Sequence, residues 1–299
     1  MEVWRGACNA WECDELGHMN VRFYLAKGLE GLGALAAAIG MADAFAARAL
    51  STLMVREQHV KFLREARAGA SLHMTAVVTE VGEQEVTAVQ ILSHSRSGEV
   101  CATIVNRLEH VEARSGRAFP WSGRSRAALE AVLGPMPEIA RPRGVAGGAA
   151  EARAGVARAE ALGVPLVGIG VVPASDCDVF GRQRPDGVMG RFSDGAAHLF
   201  PEIDGDADLK LGAALLECRI LFLRQVRAGD PLVLRSGVAE VGEKTERIFH
   251  WLLDPVTGAA VASAEAIAAQ LDLDRRRLHV PGPEAREARR SMAIEGLSL

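Results

Sequence analysis

The chain has 299 residues, of which 49% are hydrophobic and 24% charged, and its formal net charge is −4 with a pI near 6.1. This balance excludes the strong basic excess that is typical of nucleic-acid-binding proteins. No apolar run reaches the roughly 18 residues that a membrane helix needs, and the N-terminal residues do not resemble a secretory signal. The length suits about two domains, which we expect to be cytoplasmic and to have neither nucleic acid nor membrane as a partner.

In chain order, the first predicted elements are a short strand that ends near Ala10, a turn-rich segment and a helix from about Asn20 to Ile39. Asn20 suits the N-cap of this helix, and Gly40 suits the position after its C-cap. Apolar residues recur along the helix at helical spacing: Val21, Leu25, Leu29, Leu32, Leu35, Ala36 and Ile39. Three glycines would let a sheet approach it closely: Gly28, Gly31 and Gly33.

After the helix, four consecutive strands are predicted near residues 52–65, 71–82, 85–94 and 99–111. The second half repeats the succession, with a strand that ends near Pro173, a helix from Gly187 to Phe200, and strands near 214–225, 231–242, 245–253 and 259–272. The segment between the halves is rich in Ala, Arg, Gly and Pro, with short helices predicted near 124–133 and 150–162. The charged tail is expected to be a surface helix or disordered.

The two halves are copies of each other. Residues 62–83 and 222–243 align without gaps at an offset of 160 and share 12 identities in 22 positions. Upstream, Cys13-Asp14 recurs as Cys177-Asp178 at an offset of 164. A repeat of this length indicates a duplicated domain and not a solenoid, whose units span about 20–50 residues.

Each copy has one apolar helix followed by four strands, which is typical of an α+β domain whose antiparallel sheet packs on the helix. The sequence therefore predicts two tandem α+β domains. We place the first at residues 1–121, a connector at 122–165, the second domain at 166–281 and the charged tail at 282–299.

The cysteine content predicts reduced and mostly buried thiols. There are five cysteines, an odd number without a C-x-x-C pair, which disfavours a disulfide framework or a zinc site. Cys13 adjoins a candidate catalytic carboxylate, but it lacks the paired histidine and the electropositive setting that a nucleophilic thiol needs.

Asp14 is the leading catalytic candidate, because it precedes a glycine-containing turn that leads directly into the apolar helix. A carboxylate in that loop faces a helix N-terminus, where free backbone N–H groups and the positive end of the helix dipole collect. Those donors can hold the oxyanion that forms when a carbonyl is attacked, with Asp14 as the nucleophile or as the general base that activates water. The alternative is a loop carboxylate that only caps the turn.

The pattern Asp-x-x-Gly-His-x-Asn-x-x-x-Tyr stands here as Asp14, Gly17, His18, Asn20 and Tyr24. It resembles the signature of the hotdog-fold acyl-CoA thioesterases, in the branch similar to 4-hydroxybenzoyl-CoA thioesterase. With the element order of both copies, the resemblance covers most of residues 1–112 and 166–280. It implies two tandem hotdog domains, each an antiparallel sheet wrapped around a long central helix, which form an intrachain pseudo-dimer with acyl-CoA between the partners.

The resemblance also assigns residues. The catalytic carboxylate falls on Asp14. The donors that would hold the substrate's oxyanion are expected among the backbone groups from Gly17 to Val21, a range that includes Met19. His18 is expected to orient Asp14, to polarise the carbonyl or to contact the substrate, or else to be a loop-packing histidine. Asn20 is either a ligand of the attacking water or a plain N-cap. Tyr24 is expected to line the pocket, or simply to pack in the core.

The second copy departs from the pattern. It keeps a carboxylate at Asp178 but replaces His-Met-Asn with Arg-Gln-Arg, which puts a second active site of the same kind in doubt. Arg182 and Arg184 are expected either to bind an anion, such as coenzyme A phosphates, or to be solvated loop charges. Asp194, inside the second helix, resembles the catalytic acid of another branch of the hotdog thioesterases.

The resemblance implies hydrolysis of an acyl-CoA, or of an acyl-carrier-protein thioester, to the free acid and a thiol. No metal is expected, and no cofactor beyond the coenzyme A of the substrate; phosphate-loop, dinucleotide and nucleophile-elbow motifs are absent from the sequence. Two alternatives stay open: a hotdog-fold hydratase or dehydratase of acyl thioesters, which would pair Asp14 with His18, and a non-catalytic acyl-CoA-binding protein. The chain is expected as a monomer or a homodimer.

Overall fold

The structure is a computed structural model that describes residues 1–149, 151–199, 211–275 and 277–299. The chain divides into two compact units. The first unit contains Met1–Arg141 together with Cys177–Asp186, and the second contains Pro142–Asp176 together with Gly187–Leu299. None of the described helices combines the length and the apolar composition that crossing a bilayer requires.

An antiparallel sheet forms the body of the first unit. Its strands are β1 (Glu2–Ala7), β2 (Ser51–Phe62), β3 (Ser71–Val81), β4 (Glu85–His94) and β5 (Val100–Glu112). They lie in the order β1-β3-β4-β5-β2. The short connections from β3 to β5 force neighbouring strands to run antiparallel. All four strands predicted after the helix are confirmed, with β2 ending three residues before its predicted end at 65.

Helix α1 (Val21–Ala38) confirms the first predicted helix. Asn20 is its N-cap, since the Asn20 side chain accepts a hydrogen bond from the Arg22 amide at 2.9 Å. This is the plainer of the two functions that the sequence allowed for Asn20. Gly40 follows the helix with a φ of 82°, a left-handed conformation that suits glycine at a helix C-terminus.

Two glycines bring α1 into close contact with the sheet. A Cβ atom at Gly28 would lie 2.9 Å from Ile104 Cδ1, and one at Gly31 would lie 2.7 Å from Gln90 Nε2. Either substitution would force these side chains or the helix to shift. The expectation of close approach therefore holds for Gly28 and Gly31, whereas a Cβ at Gly33 would meet only Phe45, at 3.9 Å.

The second unit repeats this topology. Its strands are β6 (Leu166–Val171), β7 (Leu211–Phe222), β8 (Pro231–Val241), β9 (Glu246–Leu253) and β10 (Ala260–Asp272). Their order is β6-β8-β9-β10-β7, and a short β11 (Arg277–Leu278) pairs with β10. Helix α4 (Pro185–Leu199) begins two residues before its predicted start. Its predicted end at Phe200 lies outside the described residues.

The connector and the tail contain three further helices among the described residues: α2 (Gly123–Ala131), α3 (Val156–Ala161) and α5 (Pro283–Arg290). Helix α3 is shorter than the predicted span of 150–162, and residue 150 itself is not described. The tail differs from expectation beyond α5. Leu297 and Leu299 are buried in a cluster around Trp251, whose indole nitrogen donates to the Ser298 carbonyl at 2.9 Å. The end of the chain is therefore core, not surface.

The unit boundaries differ from the predicted domain boundaries. Most of the predicted connector belongs to the second unit, because the amides of Arg143 and Gly144 donate to the buried carboxylate of Glu217 at 2.8 and 2.6 Å. Conversely, Cys177–Asp186 groups with the first unit although its sequence belongs to the second copy. Spacing along the chain could not predict either assignment, since both depend on tertiary contacts.

Candidate functional site

The segment Glu12–Asn20, called here the Asp14 loop, folds back on itself before helix α1. Its ends are joined because the Asn20 amide donates to the Glu12 carbonyl at 2.8 Å. Near its tip, the Asp14 amide donates to the His18 carbonyl at 2.8 Å, and Gly17 has a φ of 76°, which glycine adopts without strain. The loop therefore holds Asp14 in a defined position shortly before the N-cap of α1.

The half-buried carboxylate of Asp14 uses only one of its two oxygens inside this loop. Oδ1 accepts hydrogen bonds from the Leu16 amide at 3.0 Å and from the His18 amide at 3.1 Å. Among the described residues, no donor contacts Oδ2. Asp14 therefore caps its turn with one oxygen, as the alternative interpretation expected, and keeps the other available to a water molecule or an acyl group.

The backbone amides that were expected to hold an oxyanion are mostly occupied. From Gly17 to Asn20, all four amides donate within the first unit, to acceptors in Asp14, Ala66 and Glu12. The Val21 amide has no acceptor among the described residues. Val21 is the first residue of α1, where the helix itself leaves amides unpaired. The structure thus narrows the expected set of donors to Val21.

The imidazole of His18 makes no hydrogen bond to Asp14 in the part of the chain that the structure describes. Its Nε2 lies 2.9 Å from a guanidinium nitrogen of Arg67 and 3.2 Å from Oε2 of Glu65. The ring is tied to the segment between β2 and β3. Of the groups of His18, only the backbone amide donates to Asp14, so in the described chain the imidazole does not orient the carboxylate.

Met19 and Tyr24, both expected among the substrate-binding residues, are buried in the first unit. The Tyr24 hydroxyl accepts a hydrogen bond from the Ala66 amide at 3.2 Å, and its ring meets Phe62 edge-on at 5.2 Å between centroids. Burial raises the pKa of the Tyr24 phenol well above its usual value. These are the contacts of a core residue, which was the alternative interpretation of Tyr24.

Sequence reasoning missed a buried ion pair at the base of the Asp14 loop. Lys27 Nζ lies 2.7 and 2.8 Å from the two carboxylate oxygens of Glu12, and both side chains are almost fully buried. Glu12 also accepts a hydrogen bond from the Asn9 amide at 2.7 Å. Because Lys27 lies on α1, the pair fixes the loop to the helix. The available signal was a lysine inside an otherwise apolar helix stripe.

A second missed feature is a chain of buried amides under α1. Gln58 donates to Asn106 at 2.8 Å, Asn106 donates to Gln90 at 3.0 Å, and Gln90 donates to the Gly28 carbonyl at 2.8 Å. All three side chains are fully buried. These hydrogen bonds favour one arrangement of sheet and helix, because another arrangement would break them and leave more buried polar atoms unpaired. Gln58 Oε1 has no partner among the described residues. We call these three residues the amide chain.

The second copy's counterpart of the loop, Cys177–Arg184, is called here the Asp178 loop. Asp178 Oδ1 accepts hydrogen bonds from the Phe180 amide at 2.8 Å and the Arg182 amide at 2.9 Å, as Asp14 does in the first copy. In contrast to Asp14, its Oδ2 accepts a hydrogen bond from Arg182 Nε at 2.9 Å. Both carboxylate oxygens are therefore occupied by protein donors.

The two arginines that were expected to bind an anion are paired with carboxylates of the chain. Arg182 pairs with Asp178, and Arg184 donates two hydrogen bonds of 2.9 Å to Asp186. Asp186 is buried and also lies 3.4 Å from Arg22. The positive charge of both arginines is thus largely neutralised, which disfavours the expected binding of coenzyme A phosphates.

Asp194, the other acid considered in the second copy, lies on an exposed position of α4, and His198 is exposed one turn later. An exposed carboxylate lacks the desolvated setting in which catalytic acids are tuned. The exposure of Asp194 in the second unit therefore disfavours it as a catalytic acid.

The second unit replaces part of the amide chain with an aromatic pair. At the repeat offset of 160, His250 occupies the position of Gln90, and at the offset of 164, Phe192 occupies that of Gly28. The rings of His250 and Phe192 stack at 5.1 Å between centroids, and His250 Nδ1 lies 2.8 Å from the Ser236 hydroxyl. Burial lowers the pKa of His250 to about 4.

Within the described ranges, no group of three or more His, Cys, Asp or Glu side chains is arranged to hold a metal ion. All five cysteines are free thiols, and three of them are buried. The sulfur atoms of Cys8 and Cys13 lie 3.7 Å apart.

Comparison with solved structures supports the fold. The chain is similar to the 12:0-ACP thioesterase from Umbellularia californica, with a TM-score of 0.67 and 12% identity over 89% of this chain and 93% of that one. It is also similar to a putative oleoyl thioesterase from Lactobacillus plantarum, with a TM-score of 0.68 and 11% identity over the same shares. At these identities the likeness shows the fold alone, two tandem hotdog domains.

One curated relative matches part of the sequence. The L-carnitine dehydrogenase/betainyl-CoA thioesterase of Rhizobium meliloti (strain 1021) is 28% identical over 136 residues, which are 46% of this chain. The match spans 27%, or about a quarter, of the length of that relative.

The sequence model of the thioesterase-like superfamily matches residues 8–132 and 172–289, so that it covers both copies and most of the chain. Its two segments begin shortly before the Asp14 loop and the Asp178 loop. The match agrees with the motif, the repeat and the topology described above. The chain belongs to the thioesterase-like superfamily.

Proposed function

We propose that the chain hydrolyses an acyl thioester to a carboxylic acid and a thiol, and that Asp14 is its catalytic carboxylate. The observation that carries this proposal is the hydrogen bonding of the two carboxylate oxygens of Asp14. Two amides hold Oδ1, while Oδ2 meets no donor among the described residues, shortly before a helix whose first amide, that of Val21, is also unpaired. Membership of the thioesterase-like superfamily supports the reaction type.

In the proposed reaction, Asp14 Oδ2 takes a proton from water while the water oxygen attacks the thioester carbonyl, or Oδ2 attacks the carbonyl itself. The negative charge that develops on the carbonyl oxygen is stabilised by the Val21 amide and the positive end of the α1 dipole. Collapse of the intermediate breaks the carbon–sulfur bond, and the leaving thiolate takes the proton that Asp14 accepted from water. If Oδ2 attacks directly, the product is a mixed anhydride; a water molecule then cleaves it to the free acid, restores the Asp14 carboxylate and supplies the proton that the thiolate takes. Asp14, Val21 and one water molecule supply the groups named in these steps, without a metal or an organic cofactor.

The proposed substrate is an acyl-CoA or an acyl-carrier-protein thioester. The relatives named above include a 12:0-ACP thioesterase and a betainyl-CoA thioesterase, and between them they cover both carriers. We also extend to this chain the arrangement that the hotdog resemblance implies, in which each sheet curls around its long helix and the two copies pair as an intrachain pseudo-dimer.

The second copy is proposed to be inactive in hydrolysis. Asp178 has the same backbone contacts as Asp14, but Arg182 occupies its second oxygen. A carboxylate oxygen that accepts a hydrogen bond from a guanidinium is not available to a water molecule or to an acyl group. One working site per chain is therefore expected.

The alternative of a hydratase or dehydratase requires an Asp–His pair for proton transfer. The His18 ring contacts Arg67 and Glu65, and it makes no hydrogen bond to Asp14 in the described chain. This geometry favours hydrolysis over the lyase alternative.

The test compares Asp14→Asn with Asp178→Asn in the full chain, using a panel of acyl-CoA and acyl-carrier-protein thioesters. Asp14→Asn is expected to lower kcat/KM by about 10³-fold, the scale of general base catalysis, whereas Asp178→Asn is expected to stay within about twofold. Loss of thioester and release of thiol are both measured. Equal effects of the two substitutions contradict the assignment of Asp14, and consumption of an enoyl-CoA without thiol release identifies a lyase.

A further inference from the structure

Cys8 and Cys13 bring two thiols together beside the Asp14 loop. Their sulfur atoms lie 3.7 Å apart, and both sulfurs also lie within 3.8 Å of the Asn9 carbonyl oxygen. A disulfide requires about 2.05 Å between the sulfurs, so they must approach by about 1.7 Å, the difference between the two distances. That movement is small enough for a loop to accommodate.

We propose that Cys8 and Cys13 form a reversible oxidation site, at which a low-molecular-weight disulfide converts the two thiols into an intramolecular disulfide. The two cysteines are five residues apart in the chain, and Cys13 immediately precedes Asp14. The sequence pattern did not predict this pair, because the spacing of Cys8 and Cys13 is not that of a C-x-x-C motif.

The two thiols differ in access, which sets the order of the steps. Cys8 is 1% exposed, and burial raises its pKa to about 12, whereas Cys13 is half-buried. Cys13 therefore reacts first: its thiolate attacks one sulfur of the small disulfide, that sulfur–sulfur bond breaks, and one small thiol leaves. Cys8 then loses its proton and attacks the Cys13 sulfur, which releases the second small thiol. Two protein thiols are oxidised and one disulfide is reduced to two thiols.

The second copy has no counterpart of the Cys8–Cys13 pair. At the repeat offset of 164, Cys177 stands in the position of Cys13, but Val172 stands in that of Cys8. Cys177 is half-buried like Cys13 and has no second cysteine at the equivalent place. The chain thus contains an internal control, a thiol in a matching loop that cannot complete the second step.

Oxidation should also affect the reaction at Asp14, and this part rests on the proposed function. Drawing Cys13 toward Cys8 by more than 1 Å displaces the start of the Asp14 loop. Misplacement of a catalytic group by about 1 Å lowers activity by as much as 10²-fold. We expect the disulfide to reduce thioester hydrolysis by at least tenfold, and reduction by dithiothreitol to restore it.

The test uses the full chain, freed of reductant and incubated with glutathione disulfide. Remaining thiols are alkylated under denaturing conditions, and the intact mass and a peptide map are recorded. The wild-type chain is expected to carry a Cys8–Cys13 crosslink, which leaves three of the five cysteines outside it, and Cys177 is expected to carry either the alkylating group or a glutathione adduct but no crosslink. Cys8→Val, which introduces the residue of the second copy, is expected to stop at a glutathione adduct on Cys13.

The same measurements contain the outcomes that overturn the proposal. Five alkylated cysteines in the treated wild type, a persistent Cys13 adduct without a crosslink, or a crosslink between other cysteines each exclude the site. Hydrolysis that is unchanged by a mapped Cys8–Cys13 disulfide overturns the effect on the reaction. Absence of hydrolysis in the reduced chain counts against the proposed function only, because the mass measurement does not depend on activity.

Discussion

The Asp14 loop and the Asp178 loop hold their aspartates by the same backbone hydrogen bonds and differ at the second carboxylate oxygen. In each, the first carboxylate oxygen accepts two amides, from the residues two and four positions later. In the second copy, Arg182 also binds the second oxygen, whereas His18, at the equivalent position, turns its ring to Arg67 and Glu65. The residue four positions after the aspartate therefore decides whether the carboxylate is available, and a motif that keeps the aspartate does not by itself identify a site.

The largest effect is expected from copying the second loop into the first. His18→Arg should place a guanidinium on Asp14 Oδ2 and lower kcat/KM by about 10³-fold, close to the loss expected when the carboxylate itself is removed. His18→Gln is the matched control, because it removes the imidazole without adding a cation. Steady-state kinetics give kcat/KM for both variants. An equal loss of kcat/KM in the two would contradict the proposal that the Arg182 guanidinium makes Asp178 unavailable.

The anchoring of the loop is tested by breaking its ion pair. Glu12→Gln leaves the buried ammonium of Lys27 without a carboxylate, and we expect the free energy of unfolding to fall by about 3 kcal/mol. Urea denaturation measures this loss. The double variant Glu12→Gln/Lys27→Met should recover most of it, because no unpaired charge remains buried. A double variant that is as unstable as the single one would show that the pair is not responsible.

A smaller effect, on the pH dependence of stability, is expected from the buried His250 of the second copy. The pKa of His250 is lowered to about 4 by burial, against 6.5 in the unfolded chain. Below pH 6.5 His250 is protonated in the unfolded state but stays neutral in the folded state. The free energy of unfolding therefore decreases as the pH falls from 6.5 toward 4. We expect the free energy of unfolding to drop by about 2 kcal/mol between pH 8 and pH 5.

His250→Gln, which introduces the residue of the first copy, should flatten that dependence. Urea unfolding at the two pH values measures it in both proteins. A variant that loses as much stability as the wild type between pH 8 and pH 5 assigns the dependence to other groups.

Much of the fold could be predicted from the sequence. Helix α1, its cap at Asn20 and the strands of both copies follow from hydrophobic periodicity and turn residues, which act over a few neighbouring positions. The repeat and the motif led to the family, and the match over both copies confirms it. The predicted ends of the strands were less accurate than their positions. β2 ends at Phe62 because the amides of Leu63 and Arg64 both donate to the Cys101 carbonyl, a distant contact.

The candidate site was predictable only in part. Asp14 was identified from its place before a helix, and that prediction still awaits a direct test. Two other features depend on residues that are distant in the chain, the Glu12–Lys27 pair and the amide chain, and a third depends on the burial of Asp186, which pairs with Arg184. A single sequence holds at most a weak signal for such features, such as a lysine within an apolar helix, because it does not show which residues the fold brings together or buries.

The hydrogen bond from Gln90 to the Gly28 carbonyl has a consequence for the far end of the helix. A helix is stiff, so a contact that prevents it from rolling about its axis at one turn prevents it at every turn. Val21 lies seven residues, or roughly 10 Å at 1.5 Å per residue, from Gly28. The direction in which the Val21 amide points is therefore set in part by Gln90, a fully buried side chain of β4.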